Sequence, residues 1–264
     1  MRLIDSHGHV NAERFSDDAE AVAEAARIAG VERMLVPGWN VASSERAIDL
    51  VERVPWLDAG VGVHPHDAAK VDDAAWGRIV ELAAHASVRA IGETGLDYDR
   101  VFSPIPDQLA NLRRNLRLAM DIGRPVILHC RSVAGRRDAQ DTLIAELAAI
   151  PHRARPLPIV HSFSGPVDYA ERMLDLGAVI SFSGLVFRKG EEASAAVAAL
   201  TPLDCLLVET DSPFLSPPGA PRGRNEPAYV RITAQWVAEQ RGIDPGALGD
   251  ALVATYDRVI GDPG

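Results

Sequence analysis

Two histidines one residue apart, His7 and His9, follow a short apolar run, Leu3-Ile4. On an extended chain, side chains at i and i+2 point the same way. Both imidazoles can therefore face one point, and Gly8 lets the backbone come close to it. The pattern recurs, because later apolar runs stop on His64 and His66, Glu93, His129, His161 and Asp211. Of the eight histidines, only His85 and His152 lie elsewhere. A lone histidine in such a place is more often a satisfied structural residue than a ligand. Four imidazoles and two carboxylates (His7, His9, His129, His161, Glu93, Asp211) on one rim are another matter. Packing would use Val or Ile there. So many titratable groups facing one another without a cation would cost on the order of several kcal/mol in desolvation and repulsion.

This set exceeds the three protein ligands of one catalytic zinc and suits two divalent ions roughly 3.5–4 Å apart. His7, His9 and Asp211 would serve one ion, His129 and His161 the other, with Glu93 as the bridge. The mixed donors suit Zn²⁺, Mn²⁺ or Fe²⁺ and tolerate Mg²⁺, so the metal is left open. Such a centre brings the pKa of bound water to about 7 and clamps both oxygens of an in-line displacement. Hydrolysis is the implied reaction class.

The elements that must position these residues alternate regularly. Apolar runs fall at residues 3–4, 34–36, 59–63, 88–92, 125–128, 157–160, 178–182 and 205–208. Helical patterns fall at 19–29, 43–54, around 76–82, and at 107–122, 142–149, 167–176, 193–200, 227–240 and 245–259. Unbroken apolar runs between helices predict parallel strands covered on both faces. Eight of them predict an α/β chain folded as a single (β/α)8 TIM barrel with an extra C-terminal helix, one domain over residues 1–264. In such a barrel all strand ends open on one face, which is where the titratable residues would meet. An open doubly wound sheet is the structural alternative, but it places ligands in one crevice.

Composition narrows the class. Hydrophobic content of 47% supports a packed core, and no apolar stretch reaches the roughly 20 residues of a membrane span. Cys130 and Cys205 read as free thiols in a reducing cytoplasm, the expected location. A net charge of −10 argues against a protein coated with nucleic acid. A local basic patch or a bound metal can still reverse the field at a site. A monomer is the default expectation.

The motifs taken together resemble the TatD-type metal-dependent hydrolases, often called TatD deoxyribonucleases, of the amidohydrolase superfamily. They are Asp5-Ser6-His7-Gly8-His9, Gly62-Val63-His64-Pro65-His66, Ile91-Gly92-Glu93-Thr94-Gly95-Leu96-Asp97-Tyr98 and Pro125-Val126-Ile127-Leu128-His129-Cys130-Arg131. His161-Ser162-Phe163-Ser164-Gly165, Glu209-Thr210-Asp211-Ser212-Pro213 and Arg222-Gly223-Arg224-Asn225-Glu226-Pro227 complete the set, which covers nearly the whole chain. The resemblance implies that His7, His9, Glu93, His129, His161 and Asp211 are metal ligands. It also implies that Asp211 orients or deprotonates the attacking water and that His64 lies near the substrate phosphate. Members of the family are typically cytoplasmic nucleases acting on DNA, often from the 3′ end of single strands. Two positions depart from the pattern: Ser162 replaces a usual Cys, and Ser132 a common acidic residue, ahead of a longer and more basic segment.

Basic residues cluster after three of the runs: Arg131, Arg136 and Arg137; Arg188 and Lys189; Arg222 and Arg224. A guanidinium fork suits a phosphate. Arg131, Arg222 and Arg224 are the expected substrate contacts, the last two in a stiff proline-rich loop. For Arg136, Arg137 and Lys189, solvated loop charges are an equal alternative. Asp97 is placed to accept a ligand histidine's other N–H, with a simple turn aspartate as the alternative, and Glu209 to support the site or cap its loop. Trp39, Trp56, Trp76 and Trp236 are scattered and read as packing, so no aromatic platform for a single strand is expected. A competing reading keeps the centre but hydrolyses an ester, amide or lactone of a small metabolite, or a D-aminoacyl-tRNA ester. A catalytically silent barrel used as a binding module is a third.

Overall fold

Eight strands run parallel in sequence order: β1 (Leu3–Asp5), β2 (Val31–Pro37), β3 (Leu57–Val61), β4 (Val88–Asp97), β5 (Val126–Arg131), β6 (Pro158–Val160), β7 (Val179–Phe182) and β8 (Leu206–Val208). They come from a computed structural model that describes residues 1–221 and 223–261. Between them lie α1 (Ala19–Ile28), α2 (Val41–Arg53), α3 (Asp73–Ala83), α4 (Ile105–Ile122), α5 (Asp138–Ala148), α6 (Val167–Asp175) and α7 (Ser194–Leu200). After β8 come α8 (Val230–Arg241) and the extra C-terminal helix α9 (Pro245–Val259), which packs on β1 and β8.

Ladder bonds join every consecutive pair from β1 to β8. The remaining seam is bridged just beyond the strand ends. Ser6 donates its N–H to Val208 O at 3.0 Å, and Asp211 donates to His7 O at 2.9 Å. The result is a nearly closed (β/α)8 barrel. Its strands are buried along almost their whole length, as parallel strands with helices outside and side chains inside must be. Helix starts follow local chemistry: Asn40 and Ser43 form a reciprocal capping box at α2, which fixes the chain leaving β2.

One strand differs from the sequence expectation. The apolar run at 88–92 suggests a strand that stops at Glu93, yet β4 continues to Asp97. Three steps on β4, from Ile91 to Thr94, face two on β5, from Val126 to Leu128. This is a β-bulge at Gly92-Glu93, beyond which pairing resumes through Gly95 with His129 and Asp97 with Arg131. Apart from Leu96 the extension is polar or glycine and so carries no apolar run, but its backbone ladder with β5 is intact. Glu93 and His129 therefore sit inside paired strands, with less freedom than loop residues have.

Candidate metal centre

The side chains expected to meet do meet, at the C-terminal mouth of the barrel. Glu93 lies at the middle, buried, and its two oxygens face different groups. Oε2 is 3.4 Å from His7 Nε2 and 3.5 Å from His9 Nε2. Oε1 is 2.9 Å from His161 Nε2, 3.3 Å from His129 Nδ1 and 3.2 Å from His64 Nε2. Asp211 closes the first group, its Oδ1 3.5 Å from His9 Nε2 and 4.0 Å from His7 Nε2. His7, His9 and Asp211 form one cluster of potential ligand atoms, and His64, Glu93 and His129 form another. A third joins His7, His161 and Glu209.

The imidazoles of His7, His64, His129 and His161 are held from behind or beside. Glu209 Oε1 lies 3.1 Å from His161 Nδ1, and Asp97 Oδ2 lies 3.3 Å from His129 Nε2. The same Asp97 oxygen is 2.7 Å from His66 Nε2 and 3.5 Å from Arg131 Nη1. The rings of His7 and His161 stack with centroids 4.0 Å apart. His64 Nδ1 accepts the His66 backbone N–H at 3.1 Å, so a neutral His64 carries its proton on Nε2, toward Glu93. Asp5 ties the two sides of the seam together. Its carboxylate accepts from Thr210 Oγ1 at 2.6 Å, Thr210 N–H at 3.0 Å and His7 N–H at 3.2 Å.

Electrostatics follow from burial and company. Burial opposes the Glu93 charge, but His161, His64 and His129 hold its carboxyl well below the ordinary range. Burial pushes His64 down to about 4, leaving it neutral. His9 is buried too, yet Asp211 and Glu93 more than offset this and push it up to about 9. His161 is raised well above its usual value against its burial by Glu93 and Glu209, whereas burial and its neighbour His161 lower His7. Burial takes the Asp5 carboxyl up to about 7.

The donor set fits divalent metal. Several imidazole nitrogens converge on one carboxylate with their lone-pair sites crowded together, His7 and His9 Nε2 only 3.1 Å apart. Two protonated rings could not share that spacing, whereas ligands around a cation do. His7 Nδ1 and His9 Nδ1 are buried without a hydrogen-bond partner, so these rings have few alternatives to a ligand role.

The basic residues are placed differently from the carboxylates. Arg131 reaches Asp97, at the edge of the site. Arg136 pairs with Asp138 at 2.9 Å and Arg137 with Asp168 at 2.7 Å. Arg224, expected to contact substrate, turns instead toward Asp18, Glu226 and Arg14 O, with its guanidinium 4.3 Å from the Phe15 ring centroid. Arg222 lies outside the described residues. Sequence reasoning gave no role to Asp5, to His66 as a partner of Asp97, or to Phe102 and Phe214 at the mouth. Only Asp5 and His66 carried a signal, since they lie inside the motifs.

A parallel barrel whose mouth gathers histidines and carboxylates around a central glutamate defines a metal-dependent hydrolase. Comparison with known proteins agrees: the model of the TatD related DNase family matches residues 4–261, and the chain belongs to that family. It is 37% identical over 239 residues, 90% of each chain, to YabD of Bacillus subtilis, named an uncharacterized metal-dependent hydrolase. It is 35% identical over 267 residues to the 3′-5′ ssDNA/RNA exonuclease TatD of Pectobacterium atrosepticum, covering 98% of this chain and 99% of that one. Among solved structures, the TatD homologue YjjV of Escherichia coli superposes with a TM-score of 0.87 at 30% identity over 99% of both chains.

Proposed function

We propose that this hydrolase is a two-metal phosphodiesterase that trims single-stranded nucleic acid, DNA first, from the 3′ end. The observation that carries the reading is the division of Glu93, with Oε2 toward His7 and His9 and Oε1 toward His129 and His161. A carboxylate used on both edges suits a bridge between two cations. His7, His9 and Asp211 would hold one Mg²⁺, Mn²⁺ or Zn²⁺, and His129 and His161 the second. Bound there, the ions would polarise the phosphoryl group and bring the pKa of water to about 7.

The chain's own residues supply the rest. The Asp211 side chain is 15% exposed against 5% for Glu93, so it is the carboxylate facing the approaching substrate. It is placed to orient a water and take its proton. Neutral His64 has one donor, the Nε2–H that lies 3.2 Å from Glu93 Oε1, and it would serve a phosphate oxygen arriving beside that carboxylate. Asp97 and Glu209 keep His129 and His161 aimed, and Arg131 stands behind Asp97 at the rim. Support for a nucleic-acid substrate comes from relatives named as ssDNA/RNA exonucleases. The two free thiols, Cys130 and Cys205, fit a cytoplasmic enzyme.

A second reading has one observation in its favour. Arg136, Arg137 and Arg224 are all engaged by carboxylates, which leaves room for a less charged substrate such as a lactone, an ester or an amide. The deciding experiment strips the protein of metal, resupplies Mg²⁺, Mn²⁺ or Zn²⁺, and adds 5′-labelled single-stranded DNA beside a Glu93→Gln control. The expected result is a ladder shortening from the 3′ end, absent in the control. DNA left intact with every ion, while a lactone or ester panel is hydrolysed with the same metal dependence, moves the assignment to the second reading.

A further inference from the structure

Among the described residues, two aromatic rings stand largely in solvent: Phe102 at 66% exposure and Phe214 at 53%. Every other Phe, Trp and Tyr side chain is buried or half-buried. Both exposed rings lie at the barrel mouth, and they flank the centre on different sides. Phe102 stands edge-on to His66, with centroids 4.7 Å apart and planes at 89°. His66 leads through Asp97 to His129, on the Oε1 side of Glu93. Phe214 lies 6.2 Å from the His9 ring, on the Oε2 side.

Neither ring sits on a loose loop tip. Before Phe102, Asp97 Oδ1 accepts the N–H groups of Asp99 and Arg100 at 3.1 and 3.0 Å. After it, the Ser103 hydroxyl donates to His66 O and accepts from Ala69 N–H, and Gln108 holds Ser103 O at 2.9 Å. Between these anchors Val101 is forced to φ 43°, a rare conformation for a β-branched residue, and one that persists only when its surroundings impose it. Around Phe214, its N–H donates to Asp211 O at 2.8 Å and its carbonyl accepts from the buried Asn225 amide at 2.7 Å. The next residue, Leu215, is also at positive φ, 52°. Two braced loops thus carry apolar rings outward beside the reacting groups.

Single apolar side chains on a surface need no explanation. Two exposed rings braced beside one site, in a chain whose other rings are covered, have the form of stacking platforms. Every nucleobase offers a π-face, and stacking grips a strand without relying on charge, in a chain whose net charge is −10. We propose that Phe102 and Phe214 stack on the unpaired bases either side of the scissile linkage. They would thereby select single strands, since bases inside a duplex already cover each other's faces. The proposal rests on the nucleic-acid reading above and names the feature of the site that grips the strand.

The test is equilibrium binding by fluorescence anisotropy. Full-length protein loaded with Ca²⁺ is titrated into a 5′-fluorescein oligothymidylate, and into the same strand lacking bases at its 3′-terminal nucleotides. Wild type should prefer the intact strand by about tenfold or more. Phe102→Ala and Phe214→Ala should each reduce that preference, Phe→Trp should keep it, and Phe→Leu, apolar but without a π-face, should not. The two losses belong to the same contact, so removing base and ring together should cost little more than removing either. An undiminished preference in both alanine variants overturns the proposal, as does a wild type indifferent to the missing bases. Strand cleavage measured on the same preparations with Mn²⁺ separates the two ideas. Cleavage with ring-independent binding removes the platforms alone. Ring-dependent binding without cleavage keeps them and removes the nuclease. No binding at all removes both.

Discussion

Asp97 gathers more of the site than any other side chain outside the converging set. One carboxylate oxygen holds His66 and His129, and the other takes the backbone N–H groups of Asp99 and Arg100. Burial opposes its charge, but His129, His66 and the Arg100 N–H together hold its carboxyl far below the usual range. An anion at this point fixes the proton of His129 on Nε2 and leaves Nδ1, 3.3 Å from Glu93, with its lone pair toward the centre. Asp97→Asn keeps the shape but can present an amide N–H to the ring and let the tautomer reverse. Metal affinity should fall about 10–100-fold, read by titrating stripped protein with Zn²⁺. Unchanged affinity would mean that Asp97 serves the loop only. The sequence made both roles legible as alternatives, a turn aspartate or a histidine partner, and its two oxygens perform one each.

At the scale of elements, the bulged strand β4 controls the geometry. Gly95 pairs with His129 at φ +138°, and a Cβ built there would stand 1.9 Å from the His129 carbonyl oxygen. Gly95→Ala must therefore push β5 away at the residue that supplies an imidazole. The expected outcome is a drop of about 2 kcal/mol or more in stability, with metal affinity lost alongside, measured by denaturant unfolding with and without Mn²⁺. A variant that folds and binds metal like wild type would show the strand pair to be freely adjustable. Most of the barrel could be read in advance, because β2, β5, β7 and β8 are apolar runs fenced by helical patterns. The second half of β4 could not, since Glu93, Thr94, Gly95 and Asp97 carry no apolar signal and are held by backbone pairing. Phe102 and Phe214 were equally silent, because a lone Phe reads as core until the loops that turn it outward are known. The converging side chains were legible for the opposite reason: histidines at the ends of apolar runs conflict with packing.

For the whole molecule, charge sets the terms of binding. A net charge of −10 repels a polyanion, and Arg136, Arg137 and Arg224 are already answered by Asp138, Asp168 and Asp18. Among the described residues, the loops around the mouth carry Arg131, partly shared with Asp97, and the exposed Arg100, Arg188 and Lys189. With about two or three phosphates neutralised by side chains, counterion release from a single strand gives a log–log salt slope of only about −1.4 to −2.1. Raising salt fourfold should then weaken oligonucleotide binding by roughly tenfold, far less than the thousandfold or more lost by proteins that track a backbone with many cations. Chelation should instead do most of the damage, because the ions would be the largest positive charge in the mouth. The measurement is oligonucleotide affinity across a salt series with Ca²⁺ present and again after EDTA. A steep slope that survives EDTA would place the binding energy on a basic surface, and the metal would then act only in the chemical step.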